Sequence, residues 1–278
     1  MVDITAIILT LNEEKNIEEC ILSLRSVVTR IVVVDSFSTD RTVEVAKELG
    51  AEVLQNKWVN YSTQFVYALE NANIQTKWVL RIDADERLTD KSATELVKLI
   101  KQHSDDEVNG IIVRFEVNFM GKSLRHGGIY PIRGLRVFKA GKAHIEMRNM
   151  DEHMILDDGK VIEMKNDCLH QDFKSLYEWI DKHNKYSDRE VLDYFNREES
   201  QRGSTLSKGA WFKRFVKFKI YYKLPMGTRA HLYYWYRYYF KLGFLDGTEG
   251  KIFAFLQAYW YRFLVDAKIH ERNLSNHK

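Results

Sequence analysis

Short apolar runs and amphipathic stretches alternate along the first hundred residues. Residues 4–9 (ITAIIL) form a continuous apolar run rich in β-branched side chains, the pattern of a strand buried on both faces. Residues 16–27 follow with Ile17, Ile21 and Leu24 on one helical stripe. Residues 30–34 (RIVVV) predict a second buried strand ending at Asp35, and Thr39 or Asp40 can cap a helix over 43–49. Gly50 closes that helix. Residues 51–54 read as a third strand, 64–73 as a helix and 77–82 (KWVLRI) as a fourth strand. Strand and helix in strict alternation predict a doubly wound α/β fold with a mostly parallel sheet, in which ligands bind at the carboxyl ends of the strands. Three of these ends carry polar sets: Thr10, Asn12 and Glu13; Asp35 and Ser36; Asp83, Asp85 and Glu86.

After a helix over 94–103 the pattern changes. Residues 110–117 (GIIVRFEV), 136–138 and 161–164 read as strands separated by glycines and basic residues, and 175–195 reads as a helix. From Gln201 to Lys241 there is no Asp or Glu, while Lys, Arg and aromatic residues crowd together. A boundary near residue 200 is therefore expected, with an α/β domain over 1–200 and a basic, aromatic helical extension over 201–278. Trp211, Phe215, Phe218 and Tyr222 fall on one helical face, with Lys213, Lys217 and Lys219 beside or opposite it. Pro225 and Gly227 break the pattern, and a second aromatic block, HLYYWYRYYFKLGF, follows. Aromatic and basic residues interleaved in this way suit the headgroup region of an anionic membrane. A nucleic-acid surface is disfavoured, because no RNA-binding motif accompanies the block.

Composition narrows the picture further. Apolar residues make up 45% of the 278, enough for a packed core, and the net charge of +3 conceals the basic asymmetry of residues 201–241. Cys20 and Cys168 are solitary, which suits reduced thiols rather than a disulfide or zinc framework. The apolar run at the N-terminus is too short for a signal peptide, and no run reaches the ~18 residues of a spanning helix. A cytoplasmic location is expected.

The chemistry concentrates in VLRIDADERL, residues 79–88. On a strand, Asp83 and Asp85 point to the same side, roughly 7 Å apart at Cα. Carboxylates that close repel unless a cation sits between them. Two hard oxygen ligands suit Mg²⁺ or Mn²⁺, completed by water and phosphate oxygens. There is no GxGxxG after the first strand and no GxxxxGK[ST] anywhere, which excludes an ordinary dinucleotide binder and a P-loop NTPase. A nucleotide held instead through a metal on Asp83-Ala84-Asp85 points to a sugar nucleotide.

The runs AIILTLNEEKNIEECI, RIVVVDSFSTDRTVEVAKELGAEV and WVLRIDADERL resemble glycosyltransferase family 2 in order and spacing. The later stretches GLRVFKAG, MDEHMILDDG, CLHQDF and YEWIDKHNKYSDRE resemble a bacterial subgroup that builds lipopolysaccharide cores, capsules and exopolysaccharides, and 244–271 extends the likeness through the C-terminal region. The resemblance implies a GT-A fold, inversion of the donor's anomeric centre, and dependence on Mn²⁺ or Mg²⁺. It implies a nucleotide-sugar donor (a UDP-sugar first) and a glycan or lipid-linked glycan acceptor, reached from the cytoplasmic face of a bacterial inner membrane.

Position by position, it places Thr10, Leu11, Asn12 and Glu13 in the loop around the nucleoside. Relatives often carry an aromatic where Leu11 stands. Asp35 falls where relatives bond the base edge, and it can equally cap the turn DSFSTD. Asp83 falls at the ribose and metal, and Asp85 at the metal. His170 is a further metal candidate. Arg81 can offset phosphate charge, and Arg133, Arg136 and Lys139 can hold the departing diphosphate. The proton of the attacking hydroxyl needs a carboxylate, and Glu152 or Asp151 stands in the part of the chain that supplies it. Two rivals are weighed. A sugar-nucleotide pyrophosphorylase would need a glycine-rich loop after Leu9, which is absent. A non-catalytic membrane-docking module would not need an intact Asp83-Ala84-Asp85.

Overall fold

The computed structural model describes residues 1–146, 153–172, 174–195 and 225–275. The chain divides into two compact units. One comprises Met1–Arg125 and Ile129–Lys174; the other comprises His126–Gly128 and Ser175–Lys278. The boundary expected near residue 200 falls among residues outside those described.

The first unit is built on one mixed sheet. Its first half follows the expected alternation: β1 (Val2–Thr10), α1 (Ile17–Leu24), β2 (Val28–Asp35), α2 (Thr42–Glu48), β3 (Glu52–Gln55), α3 (Tyr61–Asn71) and β4 (Trp78–Asp83). Then come β5 (Glu86–Arg87), α4 (Asp90–Gln102), β6 (Val108–Phe119), β7 (Lys122–Leu124), β8 (Ile132–Lys139), β9 (Ala143–Ile145), β10 (Met154–Leu156), β11 (Lys160–Glu163) and β12 (Cys168–Gln171). The strand order is β3-β2-β1-β4-β8-β6-β12-β5, with β7 and β11 also on β6, and β9 and β10 form a separate hairpin. The β1, β2, β3 and β4 pairings are parallel, as are β6 with β11 and β12, whereas β8 runs antiparallel to both β4 and β6.

The period of two along β1 sorts its side chains into two layers. Ile4, Ala6 and Ile8 pack with Ile17, Cys20, Ile21 and Leu24 of α1 on one face. Ile7 and Leu9 pack with Phe65 and Ala68 of α3 on the other. Both faces are covered, which is why these strands read as unbroken apolar runs. Helix starts differ from the expectation by a few residues, and local caps explain it. The Asn60 side chain accepts from Thr63 N at 2.8 Å and starts α3 at Tyr61. Thr89 and Ser92 form a reciprocal capping box that starts α4 at Asp90. Asp40 does serve the start of α2, accepting from Thr42 N at 3.0 Å, although Arg41 occupies the cap position itself.

The second unit is helical. Its described elements are α5 (Leu176–Phe195), a helix over Thr228–Trp235 continued by a π turn over Tyr236–Phe240, a 3₁₀ turn over Gly243–Asp246, a helix over Gly247–Ala254, a second π turn over Phe255–Trp260 and a last helix over Tyr261–Ser275. Val191, Tyr261, Val265 and Ile269 form its core. His126–Gly128 belongs here because Asp246 accepts from His126 N at 2.8 Å and Lys241 O accepts from Gly127 N at 2.8 Å. Among the described residues no helix is long and apolar enough to cross a membrane.

Candidate active site

The parallel register brings the strand ends together. Thr10 pairs with Asp35 across β1 and β2, and Leu9 pairs with Asp83 across β1 and β4. Asp35 is fully buried and accepts four hydrogen bonds. These come from Thr10 Oγ1 at 3.1 Å, Gln55 Nε2 at 3.2 Å, Ser38 N at 2.9 Å and, in a short contact, Ser38 Oγ. Two of the four come from three residues ahead, so Asp35 caps the DSFSTD turn as well as standing at the strand end.

The loop after β1 is laced to that turn. Asn12 takes the left-handed conformation (φ 56°), its N–H donates to Ser38 Oγ at 2.8 Å, and its side chain accepts from Thr39 N at 2.9 Å. Glu13 N donates to Thr42 Oγ1 at 2.8 Å. The Glu13 carboxylate receives Asn16 Nδ2 at 2.8 Å and Lys174 Nζ at 2.6 Å, and Asn16 also reaches Asp172 at 2.9 Å. Burial pushes the Glu13 carboxyl above its ordinary range, against the opposing pull of Lys174. Leu11 is exposed.

The three acids after β4 separate. The expectation that Asp83 and Asp85 share one side of a strand is corrected: β4 ends at Asp83, and residues 84–85 form a turn. The turn forms because the Glu86 carboxylate accepts from Asp83 N at 2.9 Å. Ala84 packs into the core, so its side chain does not line the ligand edge. Asp83 accepts a short hydrogen bond from the Tyr61 hydroxyl. The Arg136 guanidinium reaches Asp83 Oδ2 at 3.3 Å and Glu86 Oε1 at 2.7 Å. Asp85 instead faces His170, with Oδ2 and Nε2 3.3 Å apart. β12 brings the imidazole there, pairing His170 with Glu86 and donating Gln171 N to Asp85 O at 2.8 Å.

The electrostatics follow from burial and from one guanidinium. Burial pushes Asp83 up, but Arg136, Arg81 and the Tyr61 hydroxyl outweigh it and hold the carboxyl below its ordinary range. Burial dominates at Glu86, which the Asp83 charge also raises, and its carboxyl is pushed up to about 7 despite Arg136. Burial lowers Arg136, but the two acids outweigh it and keep the guanidinium charged. Arg136 Nη1 is buried without a partner among the described residues, a spare donor on a cation already in place. Arg81 is buried beneath Tyr61, its guanidinium carbon 4.9 Å from the ring centre.

Of the other expected phosphate contacts, one lies at the far end of its strand and one is engaged by a surface acid. Lys139 pairs with Trp78 at the start of β4, the opposite end of the strand from Asp83, and donates to Asp106 O at 2.7 Å. Arg133 lies on the surface in a 2.8 Å pair with Glu163. Asp151 and Glu152 lie outside the described residues. The described ends of their segment are joined, Glu146 N donating to His153 O at 2.9 Å, and Ser62, the neighbour of Tyr61, donates to Glu146 O at 2.7 Å. Sequence reasoning missed Tyr61, Asp172 and Lys174. It saw Glu86 as a third acid without finding its cation.

Comparison with known proteins identifies the family and the fold. The sequence model of the family described as Glycosyl transferase family 2 matches residues 5–159, more than half of the chain. The chain is 29% identical, over 97% of its length and 93% of the relative's, to the lipopolysaccharide core biosynthesis glycosyltransferase LpsC of Rhizobium meliloti. It is 26% identical to the uncharacterized glycosyltransferase RT0209 of Rickettsia typhi, over 99% of this chain and 89% of that one. The fold is similar to that of the mannosyltransferase PcManGT from Pyrobaculum calidifontis, solved with GDP-Man and Mn²⁺ (TM-score 0.54, 15% identity, 96% of this chain and 86% of that one). The glucosyl-3-phosphoglycerate synthase of Mycobacterium tuberculosis aligns over less than half of either chain, 42% and 44%, with a TM-score of 0.34. With a match that runs through the strands ending at Asp35 and Asp83 and the turn that holds Asp85, the chain belongs to glycosyl transferase family 2 and is a glycosyltransferase.

Proposed function

We propose that the enzyme transfers a sugar, with inversion, from a nucleotide-sugar donor to a hydroxyl of a lipopolysaccharide-type or other lipid-linked bacterial glycan, using a divalent cation. The observation that carries this reading is the placement of Asp85 against His170 beside the Asp83–Arg136–Glu86 cluster, at the carboxyl ends of parallel strands. The Asp85 carboxylate suits Mn²⁺ or Mg²⁺, and the imidazole 3.3 Å from it could join it on Mn²⁺. Among the described residues no three His, Cys, Asp or Glu side chains converge on one point. An ion at Asp85 would take its remaining ligands from water and diphosphate oxygens. The ion would neutralise the leaving diphosphate.

Arg136 adds a fixed positive charge beside it, and Nη1 is the donor it has to spare. Asp35 and the laced loop of Thr10, Leu11, Asn12 and Glu13 hold the nucleoside, with uracil or guanine as candidate bases. Asp151 or Glu152 takes the acceptor's proton. The likeness to LpsC supports a lipopolysaccharide-type acceptor, and PcManGT, with GDP-Man and Mn²⁺, supports the nucleotide sugar and the cation. An acceptor anchored in lipid places the enzyme on the inner membrane's cytoplasmic face.

The test is a thermal-shift screen of UDP- and GDP-sugars with and without Mn²⁺, followed by transfer assays on Asp85→Ala. A ligand at 100 times its Kd raises stability by about 2.7 kcal/mol, which is readily seen. Mn²⁺-dependent binding that disappears in Asp85→Ala together with transfer is expected. Full transfer by that variant, or in excess chelator, refutes the metal reading.

A further inference from the structure

The helical segment of residues 228–240 is inside out. Its charges point inward: Arg229 is 6% exposed and pairs with Asp266, and Arg237 is 4% exposed, donating to Gly127 O at 2.7 Å and to Gln257. Five of its large side chains point outward at spacings of three and four, while Tyr233, Tyr234 and Tyr238 are half-buried. Leu232, Trp235, Tyr236, Tyr239 and Phe240 are all exposed, Trp235 at 64% and Phe240 at 76%. A water-facing helix has the reverse pattern. The outer rings support one another, Trp235 against Tyr239 at 4.7 Å and Tyr236 stacked on Phe240 at 5.7 Å, so they form a surface rather than scattered side chains. The turn that follows extends it with exposed Leu242, Phe244 and Leu245. Contiguous exposed apolar surface of this kind marks an interaction site.

The chemistry of the face selects its partner. Apart from the tyrosine hydroxyls, the exposed ionisable side chains between residues 225 and 245 are His231 and Lys241, both basic, and the first acid, Asp246, is buried. Lys241 stands over the Tyr236 ring, its Nζ 5.6 Å from the centre. Tyr and Trp with an apolar body and a polar tip, edged by a lysine and lacking any exposed carboxylate, match the headgroup boundary of an anionic bilayer.

We propose that the face formed by Leu232, Trp235, Tyr236, Tyr239 and Phe240, with the turn that follows, inserts into the headgroup boundary of an anionic lipid bilayer. The proposal rests on the reading that the enzyme serves a membrane-anchored acceptor, and it assigns the contact to aromatic insertion, with charge in a supporting role.

The test uses the full chain. Wild type, the double variant Trp235→Ser/Phe240→Ser and Lys241→Gln are floated with vesicles of phosphatidylglycerol and phosphatidylethanolamine, and with phosphatidylcholine vesicles, at low and high salt. Both ring substitutions are at exposed positions, so the thermal midpoint should hold. The double variant should lose about tenfold or more in partitioning at either salt. Lys241→Gln should lose about fivefold on anionic vesicles at low salt, and little at high salt. Donor hydrolysis with Mn²⁺ and transfer to a soluble acceptor should stay at wild-type rates. Vesicle binding unchanged in the double variant overturns the proposal and leaves the catalytic reading standing. So does a wild-type dimer that the double variant converts to monomer without loss of lipid binding, because the face would then belong to a second copy. Loss of metal-dependent transfer in the wild type itself bears on the catalytic reading and leaves the lipid contact to be judged by flotation.

Discussion

Glu86 should make the first unit's stability fall as pH rises through neutrality, and Glu86→Gln should remove that dependence. The carboxyl is 2% exposed, and burial with the adjacent Asp83 charge moves it from an ordinary 4.5 to about 7. A carboxyl raised in the folded state binds its proton more tightly there than in the unfolded chain. Its stabilising effect is therefore complete below pH 4.5 and is lost as pH rises to about 7. At about 1.4 kcal/mol per pH unit, that interval corresponds to about 3 kcal/mol. For a domain of this size the loss is roughly 6–12 °C in melting temperature. Asp83, held low, acts in the opposite sense, but its contribution is lost only below its ordinary value of 3.8, outside this window. Glutamine keeps an acceptor for Arg136 and loses the one that receives Asp83 N, a cost that does not vary with pH. The assay is a melting series of chelator-treated protein at pH 5, 6, 7 and 8, read as wild type minus Glu86→Gln. Wild type should lose ground from pH 5 to pH 7 and little more at pH 8. A constant difference across the series would mean that Glu86 titrates like a surface carboxylate, and the buried cluster would be wrong.

Three further outcomes follow from single contacts. Tyr61→Phe removes the hydroxyl that donates to buried Asp83 and should cost about 1.5–3 kcal/mol in urea unfolding, while Tyr67→Phe, outside the cluster, serves as the control. Gly159→Ala places a Cβ 2.3 Å from Asn109 Nδ2 and 2.7 Å from Glu107 O, at φ +89°, and should lower stability by about 1–3 kcal/mol, with the same urea measurement as its check. Of Asp151→Asn and Glu152→Gln, made separately, one should lower the transfer rate by ~10²–10⁴ with Mn²⁺-dependent donor binding retained, and wild-type rates in both would place the base elsewhere.

The parallel half of the fold was legible because burial on both faces leaves a direct trace. β1, β2 and β4 each read as a short apolar run rich in β-branched residues, and each was found within two residues of its place. The second half left weaker traces. β5 has two residues, and β7, β9 and β10 have three each, too few to display any period. β8 was recognised over three residues of eight, since its first half carries Arg133 and Gly134 and is half-exposed. Its antiparallel direction depends on the path of residues 120–131, which no local pattern specifies.

The site shows the same division, for a different reason. Residue type and spacing identified the acids, because carboxylates at the end of an apolar strand are costly without a partner. The partners could not be read, since chain distance carries no information about them. Tyr61 lies 22 residues before Asp83 and Arg136 lies 53 after it, His170 lies 85 after Asp85, and Lys174 lies 161 after Glu13. Those partners decide what each acid can do. Arg136 and Tyr61 occupy both oxygens of Asp83, Arg136 and the Asp83 amide occupy Glu86, and Asp85, turned out of the strand, faces His170. Three acids arriving together are thus divided between two environments: two fix a buried guanidinium beside the strand end, and the third meets an imidazole. In the proposed reaction, the charge that Arg136 would bring to the donor diphosphate is held in place by Asp83 and Glu86 before the substrate arrives, so no reorganisation would be required of it as the diphosphate departs.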